Sequence, residues 1–286
     1  MRDFTPETYR LLLKSLLEQK YNFQPFIDFL LNAKSRSVIL RHDVDARKMN
    51  SLLFAQLENE FGIKGTYYFR IIPESFDENL IKQIYDLGHE IGYHYEDVSL
   101  IAKTRSIFNV QHNNTDRDKE LLIKAAIDSF SKNLEKLRRI VPVETICMHG
   151  SPLSKWDNRL LWKYYNYRDF GIKGEPYFNT DFREVLYLTD TGRRWDGEAV
   201  SVRDKAKSKG INTTSETEVI RRENSFHSTF DIINAAKENR LPDKIMLTVH
   251  PQRWDRRPMF WFRELVWQNV KNIVKGALVK IQNDKL

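Results

Sequence analysis

The chain alternates short apolar runs with longer stretches of helical spacing. After Thr5-Pro-Glu, residues Tyr9, Leu12, Leu13, Leu16 and Leu17 recur at three- and four-residue intervals, the spacing that puts side chains on one helix face. Thr5 serves as the expected N-cap, with Pro6 in the first turn. Phe26 to Leu31 predicts a second short helix, and Ser37-Val-Ile-Leu40 a buried strand. Residues 48–61 predict a helix stopped by Gly62. The stretch from Gly65 to Arg70, rich in aromatic and β-branched residues, predicts the next strand. Helical patterns over 77–87, closed by Gly88, and over 116–139 lead to a strand at Thr145-Ile-Cys-Met148. Beyond these come a strand at Val185-Leu-Tyr-Leu188, a helix from Phe230 to Glu238, a strand from Ile245 to Val249 and a closing helix from Trp261 to Lys275.

Such alternation predicts an α/β fold around a largely parallel sheet, either open or closed into a barrel. No Gly/Ser/Pro-rich linker or low-complexity tract divides the chain. Residues 1–36 are expected as a short N-terminal helical extension, and residues 37–286 as one domain. In α/β folds functional groups gather beyond the carboxyl ends of the strands. The polar clusters stand in those places: Arg41-His-Asp-Val-Asp45 after the first apolar run, His149 after TICM, Asp190 after VLYL and His250 after IMLTV.

Composition narrows the field. With 286 residues, 41% of them hydrophobic, the chain can bury a sizeable core. The formal charge is +7, from 46 Lys+Arg against 39 Asp+Glu, but the basic residues are scattered. No dense basic arm points to nucleic acid. The single cysteine, Cys147, excludes an intramolecular disulfide, and its apolar neighbours Ile146 and Met148 suit a small buried residue. The N-terminus is charged from its second residue and lacks an apolar signal-peptide core, and no later run is long enough to span a membrane. The expected location is cytoplasmic.

Taken singly, the polar residues are ambiguous. Asp43 and Asp45 suit a turn or an N-cap as well as a site, and His250 suits a hydrogen-bonded core position. Convergence at four strand ends favours a site. Residues two apart in a strand share a side, and neighbouring carboxylates repel unless a cation or proton lies between them. A divalent metal held by one carboxylate and one or two histidines keeps a position open for water, while a second carboxylate takes the proton. That is the layout of metal-assisted hydrolysis.

Three stretches resemble the motifs of the polysaccharide deacetylases, the carbohydrate esterases that include chitooligosaccharide deacetylases. Gly88-His-Glu-Ile-Gly-Tyr-His94 matches their second motif at every fixed position up to the first ligand histidine. Arg41-His-Asp-Val-Asp45 is similar to a divergent form of their first motif, T-F-D-D-G, and Leu247-Thr-Val-His250 to their late L-x-H. The resemblance covers roughly residues 37–255. It implies a distorted (β/α) barrel that uses a divalent metal, expected as zinc, to remove N- or O-linked acetyl from a carbohydrate or amino sugar.

By the same resemblance Asp43 corresponds to the catalytic base and Asp45 to the metal aspartate, although the intervening Val44 leaves their order open. His94 corresponds to the first metal histidine, and His250 to the residue that protonates the leaving group. The family's second metal histidine falls at Val98, which cannot bind metal. His149 and Glu96 are the preferred replacements, ahead of His112. Arg41 or Arg253 would stand in for the family's arginine near the base. Trp254, like Trp195, stands beside a strand-end loop where it would stack on a sugar ring, as a substrate-binding residue, or cover the barrel rim. Two other readings follow from the departures: a carbohydrate-binding protein with impaired catalysis, and a hydrolase of a linear non-sugar amide.

Overall fold

A computed structural model of the protein describes residues 1–107, 116–151, 154–195 and 226–283. Seven parallel strands carry the architecture: β1 (Asn22–Gln24), β2 (Ser37–Val44), β3 (Thr66–Phe69), β4 (Glu90–Tyr95), β5 (Ile146–Met148), β6 (Leu186–Thr189) and β7 (Lys244–Val249). Six of them form the arc β5-β4-β3-β2-β7-β6, and β1 adds to β2. The helices of the outer layer are α1 (Pro6–Glu18), α2 (Phe26–Leu31), α3 (Lys48–Glu60), α4 (Glu78–Asp86), α5 (Asp97–Ile107), α6 (Asp116–Arg138), α7 (Pro176–Asn179), α8 (Thr229–Lys237) and α9 (Pro258–Asn283). The fold is the expected α/β one, a distorted (β/α) barrel whose described strands form an open arc.

Strand alternation sets every later feature. In β2, all eight positions are buried, as befits a parallel strand covered on both sides. Val38 and Leu40 face the helices, joining Leu12, Leu13, Phe54 and Leu247 in one core. Ile39 points the other way, into a small barrel core with Phe26, Tyr187 and Met246. Arg41 and Asp43 share that inward side. In β4, Ile91, Tyr93 and Tyr95 pack under α4 and α6, within a second large core, so Gly92 and His94 point inward.

Gly92 is required by a close approach. A Cβ there would lie 2.2 Å from the Tyr68 ring, which reaches over Gly92 across β4 to set its hydroxyl 3.1 Å from Thr145 Oγ1. Gly88 has φ +89° and ends α4, a backbone region that favours glycine.

The first 36 residues are more than a helical extension. The strand β1 pairs with the first half of β2 through Asn22↔Ser37 and Gln24↔Ile39, on the side that β3 takes from Arg41 onward. Helix α1 is capped as expected, with the Thr5 hydroxyl accepting from the Thr8 N–H. It buries Tyr9, Leu12, Leu13 and Leu16 in the same core as Val38 and Leu40. An amphipathic helix with that many large apolar groups needs such a partner.

Candidate functional site

The inward alternation delivers polar side chains from neighbouring strands to one rim. Register pairs His42 with Val249, His94 with Cys147, and Phe69 with Tyr93. Carried one residue on, these pairings set His250, just past β7, level with Asp43, and His94 level with Asp45, one inward step further along, while His149 follows Cys147 by one inward step past the end of β5.

Asp45 is the focus. His94 Nε2 lies 3.6 Å and His149 Nε2 3.5 Å from Asp45 Oδ1, and His250 Nε2 lies 4.0 Å from Asp45 Oδ2. That Oδ1 is buried and accepts no hydrogen bond from the described residues. Its partner oxygen accepts from Gln252 Nε2 at 3.1 Å. Donor atoms of Asp45, His94 and His149 all lie within 4.8 Å of one another, a grouping that can hold a metal ion. A second such group joins Asp43, His94 and Cys147.

Each histidine is oriented from behind. His94 Nδ1 is 2.9 Å from the Cys147 carbonyl oxygen, which can only accept, so the proton sits on Nδ1 and the Nε2 lone pair faces Asp45. His149 Nδ1 is 3.0 Å from Glu96 Oε2 and 3.0 Å from Ser151 Oγ. His250 Nδ1 is 2.5 Å from Asp190 Oδ1. Three Nε2 atoms thus converge, each backed by an acceptor on the other ring nitrogen, the arrangement that fixes tautomer and ring angle in metal-binding histidines. The buried Asp45 oxygen between two Nε2 atoms, without a hydrogen bond from the described residues, fits a cation.

Asp43 differs from Asp45 in that Arg41 holds both of its oxygens. Arg41 Nε donates to Oδ1 at 2.8 Å and Nη2 to Oδ2 at 2.6 Å, with the arginine only 1% exposed. Burial alone would raise the Asp43 carboxyl, but the guanidinium, supported by His94 and His250, holds it well below the usual range. Asp45 shows the same contest: burial pushes up, and His149, His250, His94 and Arg70 together bring it to about 2. Burial dominates at His94, lowering it to about 4 against the pull of Asp43. At His149 burial is outweighed by Asp45 and Glu96, and the ring titrates above its ordinary value. His94 and Asp43 Oδ2 are 3.7 Å apart, and His250 Nε2 is 4.0 Å from the same oxygen.

Several sequence expectations are placed differently. Glu96 is not directed at Asp45; Arg70 Nε and Nη2 clamp its two oxygens at 2.6 and 2.8 Å, and it bonds to the far side of His149. Val98 lies in the second core, fully buried in the first turns of α5, so the site draws on the end of β5 instead. His112 lies outside the described residues.

Trp254 is corrected as a stacking platform. It is 1% exposed, packed against Phe4, Tyr9, Phe54 and Trp195, and its Nε1 donates to Asp190 Oδ2 at 2.7 Å. Arg253 likewise turns inward, its Nη1 2.9 Å from Asp190 Oδ1. With Arg41 also buried, all three residues expected to touch substrate sit behind the site and organise its carboxylates.

Asp190, the strand-end residue after VLYL, emerges as the hub of this backing. It accepts from the His250 backbone N–H, Arg253 and Trp254 as well as the His250 ring. Burial would raise its carboxyl, but His250 and Arg253 hold it low. Arg70 was the residue that sequence reasoning missed; its signal is period two along β3, which continues the inward side of Thr66 and Tyr68. His89, by contrast, is occupied on both ring nitrogens by Gly65 N–H and the Ala55 carbonyl and takes no part.

No protein-family model matches the chain, and no curated protein does. Among solved structures, the Xyl-CE4 domain of a multidomain xylanase from the hindgut metagenome of Trinervitermes trinervoides is similar at 13% identity, over 86% of this chain and 85% of that one, with a TM-score of 0.30. Among the described residues no helix is long and apolar enough to cross a membrane.

Proposed function

We propose that the protein is a metal-dependent hydrolase that removes an acetyl group from a carbohydrate or amino sugar. The observation that carries the metal reading is the buried Asp45 Oδ1, without a hydrogen bond from the described residues and flanked by the Nε2 atoms of His94 and His149. Asp45, His94 and His149 would hold the ion, which when bound would polarise a carbonyl and lower the pKa of water. The acetyl-sugar part of the reading rests on the motif resemblance over residues 88–94, 41–45 and 247–250.

The remaining roles follow from which atoms are left available. Asp43, kept ionised by Arg41, is the base that accepts a proton from the attacking water. The hold of Arg41 on both Asp43 oxygens favours Asp43 as base and Asp45 as ligand. His250 Nε2, on the opposite side of Asp43, delivers a proton to the departing nitrogen or oxygen, while Asp190 holds the ring from Nδ1. Arg253 and Trp254 position Asp190 and touch no substrate in this scheme.

The test joins binding to turnover. Zinc affinity and release of acetate from N-acetylated chito-oligosaccharides and from O-acetylated xylan should be measured for the wild type, Asp45→Ala, His94→Ala and Asp43→Asn. Zinc binding lost in the first two and kept in the third, with acetate release lost in all three, is expected. A wild type that neither binds zinc nor releases acetate would overturn the reading. A wild type that binds zinc but cleaves only linear amides would replace the substrate class and leave the metal assignment standing.

A further inference from the structure

The carboxylate of Glu96 lies on the inward side of β4, two residues past His94, and it is 4% exposed. Both of its oxygens are engaged by Arg70, at 2.6 and 2.8 Å, and Oε2 is 3.0 Å from His149 Nδ1. Arg70 is itself anchored, its Nη1 3.4 Å from the Asp45 carbonyl oxygen. Its main-chain N–H donates to Ser75 Oγ, and that hydroxyl in turn donates to the Val44 carbonyl. The end of β3 is thereby tied to the end of β2, the strand that presents Asp45.

The tie matters because His149 lies where the chain leaves the strand. Residue 148 is the last of β5, Ser151 has φ +37°, and the ring is 17% exposed, against 2% for His94. His94 obtains its orientation from a backbone carbonyl inside the sheet. Among the described residues no carbonyl is recorded on His149 Nδ1, and the groups recorded within reach of it are Glu96 and the Ser151 hydroxyl. A hydroxyl can accept or donate and so tolerates either tautomer, whereas an ionised carboxylate can only accept.

We infer that Glu96, locked by Arg70, is a positioning residue that keeps the His149 proton on Nδ1 and so turns the Nε2 lone pair toward Asp45 and His94. The Arg70–Glu96 pair does for a histidine at a strand exit what a main-chain carbonyl does for His94. It lets β5 supply the ligand that Val98 on α5 does not. This inference rests on the metal reading for its consequence, and on the apo protein alone for its geometry.

Two measurements test it. In the metal-free protein at about pH 8.5, where a neutral ring is favoured, two-bond 15N–1H spectra report which His149 nitrogen carries the proton. The wild type is expected to show the Nδ1-protonated form, and Glu96→Ala a mixture or the opposite form, with His94 unchanged. Zinc affinity, from competition with a chromophoric chelator, is expected to fall roughly 10- to 100-fold in Glu96→Ala, the usual cost of losing a carboxylate behind a ligand histidine, and less in Glu96→Asp. Arg70→Met should reproduce part of the loss. Thermal melts of each variant show whether the fold is kept, and His94 in the same spectra serves as the internal control for the site.

An unchanged His149 tautomer in Glu96→Ala overturns the inference. So does abolition of zinc binding by Glu96→Gln combined with near-normal binding by His149→Ala, which would make Glu96 the ligand. A wild type that binds no zinc fails the functional reading instead, and the tautomer comparison still decides this one.

Discussion

Replacing Arg41 with Met tests the electrostatic logic of the rim most directly. The guanidinium and the Asp43 carboxylate form two charge-assisted bonds, at 2.8 and 2.6 Å, and their side chains are 1% and 6% exposed. Methionine has similar length and no charge, so the substitution leaves a buried carboxylate without its main partner. Removing one member of a buried pair typically costs about 3–5 kcal/mol. His94, 3.7 Å from Asp43 Oδ2, is lowered to about 4 and so is neutral at neutral pH, with its lone pair on Nε2. It supplies no cation in place of the arginine, and the full loss is expected there.

The pH dependence supplies the sharper criterion. In the wild type the Asp43 carboxyl is depressed, so its contribution to stability is present above the ordinary aspartate range and lost only at strongly acid pH, as pH falls through the folded-state value. In Arg41→Met burial is no longer opposed by arginine, the carboxyl rises, and the stability it contributes is present at low pH and lost as pH rises. The gap between wild type and variant, from urea melts, should therefore narrow as pH falls from about 7 to about 5. In Arg41→Met/Asp43→Leu the gap should shrink at neutral pH as well, because no buried charge is left. A loss below about 1 kcal/mol at neutral pH, or a gap indifferent to pH, would refute the account, since the pair would then behave like an exposed one.

Three further outcomes are expected. Gly92→Ala would drive a methyl to 2.2 Å from the Tyr68 ring, costing about 1–3 kcal/mol in urea melts as overpacking usually does; a neutral result would mean that Tyr68 moves freely. Asp190→Asn turns an all-acceptor group into one that presents N–H groups to the donors of His250, Arg253 and Trp254. A loss of about 1–3 kcal/mol is expected from the same melts, along with a faster-exchanging Trp254 indole proton, and an unperturbed indole signal would contradict that role. Zinc affinity should weaken as pH falls from about 8 to about 6, because His149 is protonated more readily than an ordinary histidine and must lose that proton to ligate. Calorimetry in buffers of different ionisation enthalpy should record proton release, and a flat profile would count against His149 as a ligand.

The sequence carried the rim more clearly than its support. Asp43, Asp45, His149 and His250 were visible because each follows a run of strand type, and period two then sends alternate residues inward; His94 was visible through the motif resemblance over residues 88–94. The strand β1 was not visible, since Asn-Phe-Gln is too short and too mixed to show a period, and its pairing with β2 depends on where α1 docks. The inward turn of Trp254 was equally hidden. A tryptophan beside a strand-end loop looks the same in sequence whether it caps the rim or fills the space behind it, and Phe4, Tyr9 and Phe54, which enclose it, come from the distant N-terminal region. Asp190 and Arg70 each have a visible place at a strand end but no visible role, because what defines them is the donor or acceptor supplied from another strand.

The place of β2 between β3 and β7 also has a consequence for how the protein is made. Every residue of the Asp45, His94 and His149 grouping, and Asp43 with Arg41, lies within the first 149 positions, on the half of the arc that runs β2, β3, β4, β5. The other flank of β2 is closed only when Ser37 meets Lys244, a pairing about two hundred residues long that carries a large loop-closure entropy and slows folding. During synthesis the cation-holding half can assemble while β2 still has an open edge, and His250, with its Asp190 backing, arrives last. On the proposed reading, the group that would hold an ion and the residue that would deliver a proton are thus completed at different times.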